Sequence, residues 1–250
     1  MTEKTFNKWF NVFILAGMTV ALILTTALKL GGTQTGRFLL LISAFGSLMG
    51  VLSTVCSANG RIWTFLFGFL DVAIYGAMCF VNWKNGGSGL GNAILHYVYF
   101  VPMQFVGFYQ WRRRGAGSSG QVKARRFTGK QWALYSALFV AGSVIGYLIL
   151  AQFDKSAATT FIKTAVVLDV LPLVCNILGQ LLMSLAYAEQ WIFWIGVNIF
   201  SILMWTASLK SGGNDYAVIY IIKYSFYLVN SLNGLRIWLA LSRSEGGLDK

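Results

Sequence analysis

The chain has 250 residues, of which 56% are hydrophobic and only 11% charged, with a formal net charge of +12. A soluble domain carries about 25% charged residues. This balance excludes a soluble globular enzyme or a free nucleic-acid-binding domain and indicates a polytopic membrane protein. The two prolines, Pro102 and Pro172, leave most spans free to run as unbroken helices. Cys56, Cys79 and Cys175 all fall in apolar runs without metal-ligand spacing, so they read as small buried hydrophobes rather than a disulfide framework or a zinc site.

In chain order, Met1-Thr2-Glu3-Lys4 precedes an apolar run over 10–29. That run is too long for a signal-peptide core and has no small-residue cleavage pattern near Lys29–Thr33, so a retained helix is expected. Further apolar segments cover 37–58, 62–82, 91–111, 131–151, 161–187, 190–209 and 216–241. Each is near or above the ~20 residues that span a bilayer as a helix, and none alternates as a barrel strand does. The expected fold class is an all-α polytopic bundle of eight transmembrane helices.

Orientation follows from lysine and arginine in the loops. Arg112, Arg113, Arg114, Lys123, Arg125, Arg126 and Lys130 crowd one Gly/Ser-rich loop after the fourth span, which therefore faces the cytoplasm with both termini. The loop reads as a topology determinant touching anionic lipid, and its shortness and position beside the membrane argue against a nucleic-acid patch.

Sliding the chain against itself pairs Gly86 with Gly213, Tyr97 with Tyr224, Gly107 with Gly234, Trp111 with Trp238 and His96 with Lys223. One residue further, Trp63 meets Trp191, Phe65 meets Phe193 and Gly68 meets Gly196. Spans two to four and six to eight thus form two units, and the single span between them gives both the same direction through the membrane. The expected layout is an extra N-terminal helix (1–36), a first three-helix repeat (37–111), a basic loop with a linker helix (112–159), a second repeat (160–241) and a cytoplasmic tail (242–250). Gly46-Ser47-Leu48-Met49-Gly50 and Gly142-Ser143-Val144-Ile145-Gly146 read as close-packing stripes.

Polar groups at membrane depth are costly and are candidate functional groups. Trp191, Trp194 and Asn198 stand at i, i+3 and i+7, on one helical face. Two indoles and an amide there suit a flat, polar, aromatic ligand; packing and an inter-helix tie explain them equally well. Asp71 with Tyr75, Tyr97 with Gln104, Asn176 with Gln180, and the stripe Tyr224, Tyr227 and Ser231 occupy corresponding spans and would converge near the midplane, with helix–helix contacts as the alternative. Lys223 reads as snorkelling and His96 as a packing histidine. Glu189, Asp169, Gln110 and Trp111 read as interfacial groups. No phosphate-binding loop, metal-ligand cluster or nucleophile–base pair stands out, so no cofactor or enzymatic activity is expected. A retinal photoreceptor also carries an aspartate and a late lysine, but Lys223 is shallow and Ile219 stands one turn before it, where that reading needs a carboxylate.

The 3+1+3 arrangement, Trp191-x-x-Trp194-x-x-x-Asn198 and Tyr97…Gln104…Gly107…Trp111 together resemble the PnuC family of nicotinamide riboside transporters, over roughly residues 37–241. The resemblance implies a bacterial inner-membrane protein with a SWEET-like architecture. It further implies facilitated diffusion of nicotinamide riboside, with a cytosolic kinase trapping the product by phosphorylation. Thiamine, riboflavin or a small sugar are the alternative cargoes on the same fold. Trp191, Trp194, Asn198, Gln104, Tyr97, Asp71, Tyr224, Tyr227 and Gln180 are then the expected substrate-binding residues. The partners are the small-molecule substrate and the bilayer, with no nucleic acid; the glycine-faced helices and the extra first span leave room for self-association, and a homo-oligomer, a trimer, is the expected form.

Overall fold

The computed structural model of the chain describes residues 2–32, 37–86, 90–117, 120–153, 163–210 and 216–243. The Gly212-Gly213 loop and the tail from 244 onward lie outside the described residues. The helices are α1 (Glu3–Gly32), α2 (Arg37–Ala58), α3 (Thr64–Lys84), α4 (Leu90–Leu95), α5 (Val101–Trp111), α6 (Gly129–Phe153), α7 (Thr164–Ser184), α8 (Gln190–Lys210) and α9 (Tyr216–Arg243). Among the described residues the β pairing is one isolated bridge, between Arg125 and Tyr187. The class is all-α.

Six of these helices are long and apolar enough to cross a membrane: Thr5–Leu28, Arg37–Ala58, Thr64–Lys84, Gly129–Gln152, Thr164–Ser184 and Gln190–Ala207. The other two expected spans differ for identifiable reasons. The segment from Leu90 to Trp111 is interrupted by a π-helical stretch, His96–Phe100, in which Val101 N–H donates five residues back to the His96 carbonyl. Pro102 follows immediately, and its ring offers no N–H and crowds the carbonyl four residues earlier. The wider turn relieves that crowding. Helix α9 has ample length but carries Lys223, Asn230, Asn233 and Arg236.

The closest helix packing is α2 on α3, α7 on α8 and α8 on α9. Helix α1 bridges α2 and α9, α5 meets α7, and α6 rests on α7 at the rim. Gly142 and Gly146 let α6 approach Val174 and Val170. Gly50 does something other than close-pack two helices: an added Cβ would stand 2.8 Å from Asp71 Oδ2, so the glycine makes room for a carboxylate.

One end of the bundle is tied by a reciprocal pair of indoles. Trp111 Nε1–H donates to the Met183 carbonyl at 2.7 Å, and Trp238 Nε1–H donates to the Ser57 carbonyl at 2.9 Å. Each tryptophan reaches from its own half of the chain into the other, with ring centroids 5.1 Å apart. Ser57 and Met183 are 126 residues apart. The same spacing relates Gly60 (φ +64°) and Ala186 (φ +61°), the left-handed residues of the α2–α3 and α7–α8 turns. At that spacing Trp191 corresponds to Phe65. Both are buried, and each packs on a glycine of the last helix in its half, Phe65 on Gly107 and Trp191 on Gly234. The pairing of Trp63 with Trp191 expected from the sequence is therefore off register: Trp63 is 61% exposed.

The basic loop is not a solvated connection. Residues 122–127 form a strap laid across both turns. Val122 N–H donates to the Gly60 carbonyl at 2.9 Å, Arg125 N–H to the Ala186 carbonyl at 2.7 Å, and Ala188 N–H to the Arg125 carbonyl at 2.9 Å. Val122 and Ala124 are buried in one cluster with Trp111, Trp191 and Trp238. Trp111 is thus a core residue rather than an interfacial anchor, because its N–H and both ring faces find partners inside. Glu189 is also buried rather than interfacial. It accepts from Arg126 Nε at 2.8 Å and from Phe127 N–H at 3.1 Å, fixing the strap to the start of α8.

The Arg126→Met variant strands the Glu189 carboxylate out of water, so the purified protein should lose on the order of 2–3 kcal/mol in apparent thermal stability. Adding Glu189→Gln removes the charge while keeping an acceptor for Phe127 N–H, and should restore most of the loss. Thermal midpoints of the single and double variants check this, and equal midpoints for Arg126→Met and the unaltered chain would show that the ion pair does not hold the strap.

Candidate functional site

A cavity of about 500 Å³ lies between the two halves of the bundle, within the usual range for small-molecule sites. Helix α2 presents Ser53, Thr54 and Ser57 to it, and α3 presents Gly68, Asp71 and Tyr75. From α4 to α5 come Asn92, His96, Phe100 and Gln104, and α7 adds Asn176, Gln180 and Met183. Helix α8 supplies Trp191, Trp194 and Asn198, and α9 supplies Lys223, Tyr224, Tyr227 and Ser231. Helices α1 and α6 place no described residue in its wall.

The floor stands on the tied end of the bundle. Trp191 is buried, its edge on Gly234 and its ring T-shaped to Trp238 at 6.5 Å. Its Nε1 has no partner among the described residues. Trp194 lies against Gly179, where an added Cβ would meet the indole at 3.2 Å. The glycine lets α7 come close enough to back the ring while its other surface turns to the cavity. Asn198, one turn further along the same face, donates from Nδ2 to Ser231 Oγ at 3.0 Å, joining α8 to α9.

Facing these, Gln104 is buried and donates from Nε2 to the Phe100 carbonyl at 3.3 Å. Its Oε1 has no partner among the described residues and leans over Gly68, 2.6 Å from where a Cβ would stand. A buried acceptor left unpaired costs about 1–3 kcal/mol, so a carbonyl oxygen at the wall of a cavity is poised for a donor from a bound molecule. Gln180 is anchored differently: its Nε2 donates to Ser184 Oγ at 3.1 Å, and that hydroxyl donates to the Met103 carbonyl at 3.0 Å. This relay ties α7 to α5 beside the cavity. Tyr224 and Tyr227 are neighbours, with centroids 6.2 Å apart, and Lys223 Nζ sits 5.6 Å from the Tyr227 ring centre.

Eight of the nine residues expected to bind substrate line this one cavity. Tyr97 does not: it is 46% exposed, its hydroxyl donates to the Ala73 carbonyl at 3.0 Å, and its ring rests near Gly76. It clamps the π-helical stretch to α3 from outside, because the wider turn rotates it away from the face that carries Gln104. Two residues given bland readings from the sequence belong to the wall. His96 packs between Tyr75 and Phe100, at 4.6 Å and 4.9 Å, with Nδ1–H donating to the Asn92 carbonyl at 2.8 Å. Lys223 turns inward beside Asp71 and Tyr227 instead of snorkelling. The repeat pairing of His96 with Lys223 was the available signal for both. The α2 hydroxyls Ser53, Thr54 and Ser57 carried no comparable signal, since serine and threonine are common in such helices. Among the described residues no group of three His, Cys, Asp or Glu side chains could hold a metal ion.

Comparison with known proteins places this architecture. The family model described as nicotinamide mononucleotide transporter matches residues 40–240. A nicotinamide riboside transporter PnuC of Neisseria mucosa is 31% identical over 210 residues, covering 82% of this chain and 74% of that protein. The protein of the same name from Haemophilus influenzae is 31% identical over 202 residues, 80% of each chain, and that of Escherichia coli is 23% identical over 228 residues. A crystal structure of the vitamin B3 transporter PnuC superposes with a TM-score of 0.63 at 28% identity, covering 98% of this chain and 94% of that one.

The floor makes its own prediction. In Gly234→Ala the new methyl would stand 2.7 Å from the Trp191 indole, which is pinned by Trp238, so either the helices part or the ring is driven into the cavity. The expected cost is on the order of 1–3 kcal/mol, read as a lowered thermal midpoint together with a change in tryptophan fluorescence. An unchanged midpoint and spectrum would mean that the floor is not rigidly packed.

Proposed function

This chain belongs to the PnuC family of transporters, and from that premise we propose that it carries nicotinamide riboside across the bacterial inner membrane. The observation that carries the reading is the cavity itself: two backed indoles on one side, the unpartnered Gln104 Oε1 on the other, and Asn198 between the halves. Nicotinamide riboside combines a cationic aromatic ring, a carboxamide and ribose hydroxyls. Trp194, with Trp191 beneath it, stacks on the ring, a contact strengthened by the ring's charge. Gln104 Oε1 accepts from the carboxamide NH2, and Asn198 pairs with amide or hydroxyl groups. Asp71, Tyr224, Tyr227 and Gln180 meet the ribose hydroxyls and the positive charge. Tyr97 serves as a helix clamp.

Transport proceeds by alternating access. The strap and the Trp111–Trp238 pair close the end beneath Trp191, and cargo leaves when these part. All eight helical rods span the bilayer, α4 and α5 acting as one. Two three-helix repeats run in the same direction, a reading supported by the single strap that bonds both the α2–α3 and the α7–α8 turns. The strap's arginines and lysines put it, and with it both termini, on the cytoplasmic side. Movement is facilitated diffusion, and phosphorylation by a cytosolic kinase retains the product. Self-association as a homo-trimer through lipid-facing surfaces belongs to the same reading.

Purified protein in vesicles should take up radiolabelled nicotinamide riboside saturably, without ATP or an imposed ion gradient, and should ignore thiamine, riboflavin, small sugars and nicotinamide mononucleotide. Equal uptake of any of these would move the cargo assignment. Asn198→Leu and Trp194→Ala should each weaken binding by at least about tenfold, equivalent to about 1.4 kcal/mol, whereas Tyr97→Phe should stay within about twofold, because that side chain makes no cavity contact. Calorimetric titration of the three variants checks this ranking, and a large effect confined to Tyr97→Phe would reverse the site assignment.

A further inference from the structure

A second cavity, of about 650 Å³, lies on the outer surface between the start of α3 and the end of α5, at the strap end of the bundle. Its wall is divided by chemistry. Ile62, Trp63, Leu66 and Phe108 give it apolar lining, and Arg112 is its one charged member among the described residues, with Gly117 beside it in the wall. Trp63, Leu66 and Phe108 are largely exposed, and so is Arg112.

Two observations say that something belongs there. The first is charge. Among the described carboxylates, Glu189 is held by Arg126, Glu3 by Arg236, Asp71 lines the transport cavity and Asp169 stands in the first half of α7. None pairs with Arg112, and neighbouring Arg113 lies over the Tyr109 ring instead. The second is the pseudo-symmetry. At the 126-residue spacing Trp63 corresponds to Glu189, and Glu189 is covered by the strap through Arg126 and Phe127. Among the described residues Trp63 has no hydrogen-bonded cover of that kind, and it is 61% exposed. An uncovered groove that is apolar toward the membrane and cationic at its edge, rimmed by an exposed tryptophan, has the amphipathic form of a bilayer interface.

We infer that this groove seats one anionic phospholipid, its phosphate bound by the Arg112 guanidinium and its acyl chains lying along Leu66 and Phe108. Arginine suits this task because its planar fork meets two phosphate oxygens at once. Trp63 sits at the glycerol level, where an indole's apolar body and N–H are both served. The lipid fills on the first half the position that the strap covers on the second, and it supports the Phe65–Gly107 contact on the groove's inner side.

The test is native mass spectrometry of the purified full chain released from detergent containing equal amounts of phosphatidylglycerol and phosphatidylcholine. The unaltered chain should retain one phosphatidylglycerol with about fivefold preference, the scale expected for one basic residue near the surface. Arg112→Ala should bring the preference to parity, while Arg113→Ala should keep it. Equal retention of the two lipids by the unaltered chain would mean ordinary boundary lipid and overturn the proposal, as would an undiminished preference in Arg112→Ala. Displacement by inorganic phosphate would also overturn it, because the chains would then contribute nothing. If Arg112→Ala does not yield folded protein, the preference of the unaltered chain decides. Nicotinamide riboside binding should be the same in Arg112→Ala as in the unaltered chain, which separates this site from the transport cavity.

Discussion

The bundle depends on two indole N–H groups that cross between its halves. An indole N–H is a donor only, and one buried in an apolar end must find an acceptor or cost the fold about 1–3 kcal/mol. Trp111 and Trp238 find theirs in the backbone carbonyls at the ends of α7 and α2, the helices of the opposite half. Each of those carbonyls also accepts a turn N–H, Met183 from Ala186 and Ser57 from Gly60, both at 3.0 Å, and a carbonyl's second lone pair leaves room for the indole. The two bonds place the ends of the halves side by side and set the level at which Trp191 becomes the floor of the cavity.

Glycine governs the spacing above that level. Phe65 and Trp191 fill the same role in the two halves, and Gly107 and Gly234 are the only residue types that admit their rings at the observed distances. Higher in the cavity the halves part chemically. Gly68 on α3 corresponds to Trp194 on α8 at the same spacing, and Gln104 leans into the room the glycine leaves. One wall is therefore an aromatic surface and the other an amide acceptor.

The strap breaks the symmetry a second time. The strap bonds first to the α2–α3 turn and then to the α7–α8 turn. Here it lies over both turns and continues past the second half, sealing Val122 and Ala124 against the tryptophans and placing Arg126 on Glu189. The many positive charges of the strap and its two buried apolar residues are compatible because the backbone alternates between them: inward residues are small, and outward ones carry charge to water and lipid.

The amino-acid sequence alone determined the all-helical membrane class, the approximate extents of most apolar helices and eight of the nine named residues that line one cavity. These follow from local quantities, hydropathy over about twenty residues and helical spacing along one face. Periodicity continues through a regular helix, so Trp191, Trp194 and Asn198 could be placed together without a partner in view. The tertiary structure alone decided what depends on contact across the bundle. It turned Lys223 and His96 inward, since a side chain at a given depth can face lipid or cavity and only neighbouring helices choose. It moved Tyr97 outside, because the π-helical stretch before Pro102 shifts the phase that an unbroken 3.6-residue period assumes. It made the basic loop a buried strap, because backbone hydrogen bonds to Gly60 and Ala186 carry no side-chain signature and exist only once both turns have come to the same end of the molecule.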